Sequence, residues 1–139
     1  MGRALSHLET TIIHARKGHY VSAIIKGLVL MAEAQMLIDP ENLNVIQYLN
    51  EARDLAEPLN LSLELKRIYH LYGQIAIKQN DLPKAYEHYK RAYEYLKTVL
   101  KSINNSDYQT SFLAKNENKT LLNDIKKIQK TMRNNNTSV

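Results

Sequence analysis

A chain of 139 residues with 44% apolar and 24% charged side chains can bury a core and is neither disordered nor membranous by composition. Its net charge is +5, and the absence of cysteine excludes disulfides, thiolate metal sites and cysteine nucleophiles, which points to a cytoplasmic setting. Four glycines and three prolines are too few for a turn-rich β sandwich, so helix is the expected class.

Along residues 2–15, Leu5, Leu8, Ile12 and Ala15 form one stripe, the mark of an amphipathic helix. The opening residues fit the loose N-myristoylation pattern, a short pattern that arises often by accident, and no secretory leader is legible. Arg16, Lys17 and Gly18 read as a helix ending. Residues 20–38 form a second helix, apolar nearly all round, within which the stretch from Ala23 to Ile38 is interrupted by Lys26, Glu33 and Gln35 and reads as too short to span a bilayer. Asp39 and Pro40 then open a third helix, with Asp39 as its N-cap. Val45, Tyr48, Leu49, Ala52, Leu55 and Ala56 supply its buried face, and Pro58 ends it.

From 62 to 78 the helical period returns, with Leu65, Ile68, Tyr69, Tyr72 and Ala76 inward. Gln79, Asn80 and Asp81 make a short turn whose aspartate caps a fifth helix, lined by Ala85, Tyr89, Ala92, Tyr93, Leu96 and Leu100. A short helix follows at 107–114 with Tyr108 and Phe112 inward. A last one at 118–132 carries Leu121, Leu122, Ile125, Ile128 and Met132 on one side. Residues 134–139 read as a disordered polar tail, leaving one helical domain over 1–133.

Tyr69-x-x-Tyr72-Gly73-x-x-Ala76 followed by Ala85-x-x-x-Tyr89-x-x-Ala92 resembles the tetratricopeptide repeat, in which large, small and aromatic positions alternate across a helix pair. The clearest repeat covers about 66–99, and a degenerate one about 26–59. In the latter, Val45, Leu49 and Ala52 stand 40 residues before Ala85, Tyr89 and Ala92, while Glu33 falls where Gly73 stands. The resemblance implies antiparallel hairpins, about seven helices in all, stacked as a right-handed superhelix that binds another protein or peptide in its concave groove. It places Arg67, His70, Gln74 and Lys78 on that groove, with Leu30, Ala34 and Leu37 of the preceding first helix beside them. Such a module serves as a scaffold or regulatory part of a larger protein, and self-association is a third reading.

Little in the sequence suggests chemistry. The five histidines read as surface residues, no phosphate-cradling loop or zinc-binding helix motif appears, and the carboxylates are scattered. Neither a cofactor nor a metal is expected, and the chain does not read as an enzyme. Lys115, Lys119, Lys126, Lys127, Lys130 and Arg133 stand against only Glu117 and Asp124 near the C-terminal end. A nucleic-acid-binding domain using this basic helix is the alternative function. The lack of interleaved aromatics favours a solvated face instead.

Overall fold

The computed structural model describes residues 5, 6, 8–10, 12, 20–39 and 41–137. Every regular element among them is an α-helix: α1 (Val21–Ile38), α2 (Leu43–Ala56), α3 (Ser62–Lys78), α4 (Leu82–Lys101), α5 (Ser106–Ala114) and α6 (Asn116–Thr137). Helical residues at 5, 6, 8–10 and 12 precede them, giving the seven helices expected. The break expected at 16–18 lies outside the described residues, as does Pro40. Packing divides the chain into two compact units, residues 1–68 and 69–139, with the boundary inside α3.

In the first unit α1 and α2 pack together across the short connection 39–42, as two antiparallel helices must. By length and composition α1 could cross a membrane, with a mean hydropathy of 1.7 over 18 residues. Its Ile24, Ile25, Leu28, Val29, Met31 and Ala32 are buried in this unit, while 39% of the helix in all is buried. Gly27 is buried too, and a Cβ there would sit 2.7 Å from Cγ1 of the buried Ile12. From α2, Val45, Leu49, Ala52 and Ala56 complete the core.

Asp39 is not the N-cap of α2. Its amide donates to the carbonyl of Gln35 and so closes α1, while its Oδ1 accepts the Glu41 amide at 3.2 Å. With that carboxylate committed, the first turn of α2 is capped by Asn42, whose Oδ1 accepts the Asn44 amide at 2.8 Å. The helix therefore begins later than its Asp-Pro signal.

Helices α2 and α3 end alike. Asn60 and Asn80 take left-handed φ values of 53° and 59°, and the amides of Leu61 and Asp81 reach back to the carbonyls of Ala56 and Ala76. This is the six-to-one closure usually built on glycine, and asparagine is the residue that best tolerates it otherwise. Asp81 then caps α4 by accepting the Lys84 amide at 3.2 Å, as its position before Pro83 foretells.

In the second unit α6 packs against α4 and α5. Ala85, Tyr89, Ala92 and Leu96 of α4 are buried with Leu121 and Ile128 of α6 and Phe112 of α5. Two residues expected inward face out. Tyr93 is 37% exposed, with the Lys97 ammonium 5.0 Å from its ring centre, and Tyr108 is 68% exposed. Two turns of helix, anchored through Phe112, leave the first turn of α5 uncovered. The turn into α6 is held by Asn118, fully buried, whose Nδ2 donates to the Phe112 carbonyl at 2.7 Å. No glycine or proline interrupts the chain after Met132, and α6 continues to Thr137 through residues expected to be tail.

Helices α3 and α4 approach closely at Gly73. A Cβ on Gly73 would overlap ring atoms Cδ1 and Cε1 of Tyr89, itself only 3% exposed. In a solvated helix Gly→Ala gains about 1 kcal/mol from helix propensity. Here the added carbon must displace a buried aromatic ring, so Gly73→Ala is expected to destabilise by about 1–3 kcal/mol. Gly27→Ala is expected to cost less, because the end of an isoleucine side chain yields more easily than a ring. Urea unfolding of the two variants beside the parent chain decides this; a stabilised Gly73→Ala would contradict the packing described.

Candidate functional site

The residues assigned to a partner-binding groove fall into two sets, four in the first unit and three in the second. In the first unit, Leu30 is 49% exposed and Leu37 78% exposed, one turn-and-turn-again apart on α1 with the half-buried Ala34 between them. Ile38 (48%) and Leu43 (78%) continue the apolar surface around the tip of the α1–α2 hairpin. Arg67 is half-buried and engaged by its surroundings.

In the second unit, Lys78 at the end of α3 is exposed, with Ile77 beside it. His70 and Gln74 are not on an open face. The His70 Nε2 lies 2.7 Å from Oδ2 of Asp124 on α6, with side-chain exposures of 13% and 22%. A carboxylate can only accept, so this nitrogen carries the proton. The Gln74 amide stands 3.4 Å from the same nitrogen. Because that nitrogen already donates, the Gln74 oxygen rather than its NH₂ is the atom suited to face it. Tyr89 meets the His70 ring edge-on, with centroids 5.7 Å apart. Four side chains from three helices thus form one polar knot against the core.

Burial pushes the Tyr89 phenol well above its ordinary value of 10.0, and the nearby charge of Asp124 pushes it further the same way.

A second cluster occupies another side of the α3–α4 pair. His88 stacks on Tyr72 with centroids 5.1 Å apart, and Tyr69 stacks on Tyr95 at 5.9 Å. The Arg91 guanidinium lies 5.3 Å from the Tyr69 ring centre and donates to its hydroxyl at 3.3 Å. His70 and His88, read from sequence as surface histidines, are both partly buried in ring contacts. Sequence reasoning had no means to pair His70 with a residue 54 positions away. Lys66, 2% exposed on α3, also went unnoticed, because a lysine inside a charged stretch reads as solvated.

No grouping of three histidine, aspartate or glutamate side chains that could hold a metal occurs among the described residues. The knot at His70 lacks a nucleophile, and its members bond one another.

No family model matches this chain, and comparison with curated proteins and with solved structures likewise finds no match.

The raised Tyr89 group has a definite consequence at high pH. A phenol whose folded value exceeds its unfolded one contributes stability that is complete below about pH 10 and is lost as pH rises through the folded value. Tyr89→Phe keeps the ring and removes the ionisation. The melting temperature of the variant is expected to fall less steeply than the parent's above about pH 10. Parallel curves for the two would show that the phenol is not held back from ionising.

Proposed function

We propose that this chain is a protein-interaction module built on tetratricopeptide-like helix hairpins, which docks a segment of another protein on the outward face of α1. One observation carries the reading: Leu30 and Leu37, with Ile38 and Leu43 beyond them, expose large aliphatic side chains in a row. A single exposed leucine is ordinary, but a continuous row of them favours a partner surface over water. Spacing at i and i+7 suits an amphipathic helix laid along α1, or an extended peptide with apolar anchors. The tetratricopeptide likeness rests on the Tyr69–Ala92 pattern, and the contact of Gly73 with Tyr89 supports it, because that pattern requires a small residue where an aromatic ring from the paired helix packs.

The groove residues implied by the resemblance take unequal parts in this reading. Lys78 is exposed but belongs to the second unit, whereas the apolar row belongs to the first. His70 is hydrogen-bonded to Asp124 and Gln74 stands against His70, so a ligand that used them would first have to break a part-buried hydrogen bond. The weight of recognition therefore rests on α1. A scaffold or regulatory role within a larger protein follows from such a module, and a second copy of the chain is the simplest competing occupant of the row.

Affinity capture from the source cell, followed by titration of the captured partner, tests the proposal. Truncating a central apolar anchor costs about 2 kcal/mol or more, and a rim charge less. Leu30→Ala is expected to weaken binding at least about thirtyfold and Lys78→Ala only a few-fold, with both melting temperatures near the parent's. If Leu30→Ala leaves affinity intact while lowering the melting temperature, the row is core and the assignment fails. Ultracentrifugation of the protein alone separates a hetero-partner from self-association.

A further inference from the structure

The +5 net charge is not spread along the chain. Residues 69–139 hold twelve lysines and arginines against six acidic residues, a net +6, whereas residues 1–68 hold seven against eight, a net −1. Within the second unit the asymmetry sharpens on α6. Its one mid-helix carboxylate, Asp124, turns inward to His70, and Glu117 near its start is half-buried and engaged. Lys119, Lys126, Lys127 and Lys130 all lie on the exposed side. Three of these, 119, 126 and 130, share one face at spacings of seven and four, with the exposed Asn123 between them. Among the described residues of α6, no exposed one is acidic and none is apolar.

The helix macrodipole favours cations near a C-terminus, but the last turn of α6 carries none and Lys119 stands in its first turn, so the dipole does not account for these lysines. The remaining pattern selects among anionic partners. A docked acidic helix gains most of its affinity from an apolar seam, and stable insertion at a bilayer surface from an apolar face. Leu121 and Ile128 are buried, Leu122, Ile125 and Met132 half-buried, so α6 offers neither. A phosphate backbone needs only cations and hydrogen-bond donors. At a helical rise of about 1.5 Å per residue, Lys119 to Lys130 spans about 16 Å, or roughly five nucleotides of one strand.

We infer that the outer face of α6 binds the phosphate backbone of nucleic acid through Lys119, Lys126, Lys127 and Lys130, without regard to sequence. Lysines act here as point charges releasing counterions, and nothing on this face reads a base edge. The surface is independent of the apolar row on α1, so either assignment can fail alone.

Fluorescence anisotropy of a labelled duplex of about 20 base pairs and arbitrary sequence, titrated with the whole chain over a salt series, tests it. Four phosphate contacts give a slope of log affinity against log salt of about −3.6. In the double variant Lys126→Gln with Lys130→Gln, the slope is expected to flatten by about 2 and affinity at low salt to fall at least about tenfold. Lys26→Gln, which removes an exposed cation from α1, is expected to change neither. The inference is overturned by no anisotropy change at about 50 mM salt, where such contacts are strong. A double variant that binds like the parent, or equal loss in Lys26→Gln, also overturns it. So does tighter binding to phosphatidylserine vesicles or polyglutamate than to the duplex.

Discussion

Where α3 meets the ring of Tyr89 it carries no Cβ, and much of the second unit hangs on that omission. Gly73 lets the ring lie flat against the α3 backbone, which sets the distance between α3 and α4. With α4 fixed there, Tyr69 and Tyr72 come within stacking range of His88 and Tyr95 on one side. On another, Tyr89 presents its edge to His70, and His70 meets Asp124 from α6. Aromatic contacts of this kind add about 0.5–1.5 kcal/mol each beyond the area they bury. The glycine itself makes none of them; it permits them all.

The knot around His70 also divides labour on α6. Turning Asp124 inward gives a half-buried histidine a hydrogen-bond partner, and among the described residues it leaves the exposed charges of the same helix all basic. One residue's placement thus serves packing on one face and electrostatics on the other. The first unit makes the opposite choice, spending its excess apolar residues on a surface row along α1 rather than on charge.

What could be read from the sequence followed from how local the determining interaction is. The helices, the cap at Asp81 and the inward set from Leu65 to Leu96 depend on neighbours a few residues away, and period and turn chemistry reveal them. Asn42 was hidden behind a stronger local signal, Asp39 followed by Pro40, whose carboxylate is used two residues on instead. Tyr93 and Tyr108 obey the helical period yet lie beyond the reach of a covering helix, a matter of tertiary length that period cannot express. For the candidate site, Leu30 and Leu37 were legible as a stripe. Whether water or protein covers such a stripe is decided elsewhere in the chain. The exposures of His70 and Gln74 were illegible, because the covering residue, Asp124, lies 54 positions away.

That separation bears on how fast the chain folds. The α2–α3 and α3–α4 connections are short turns closed by asparagine, so these helices meet neighbours in sequence at little loop-closure entropy, the arrangement associated with fast folding. The hydrogen bond of His70 with Asp124 is different in kind, since it closes a loop that contains all of α4 and α5. As a long-range contact added to a frame of local ones, it carries the loop-closure entropy that the hairpin turns avoid, the kind of pairing that slows folding.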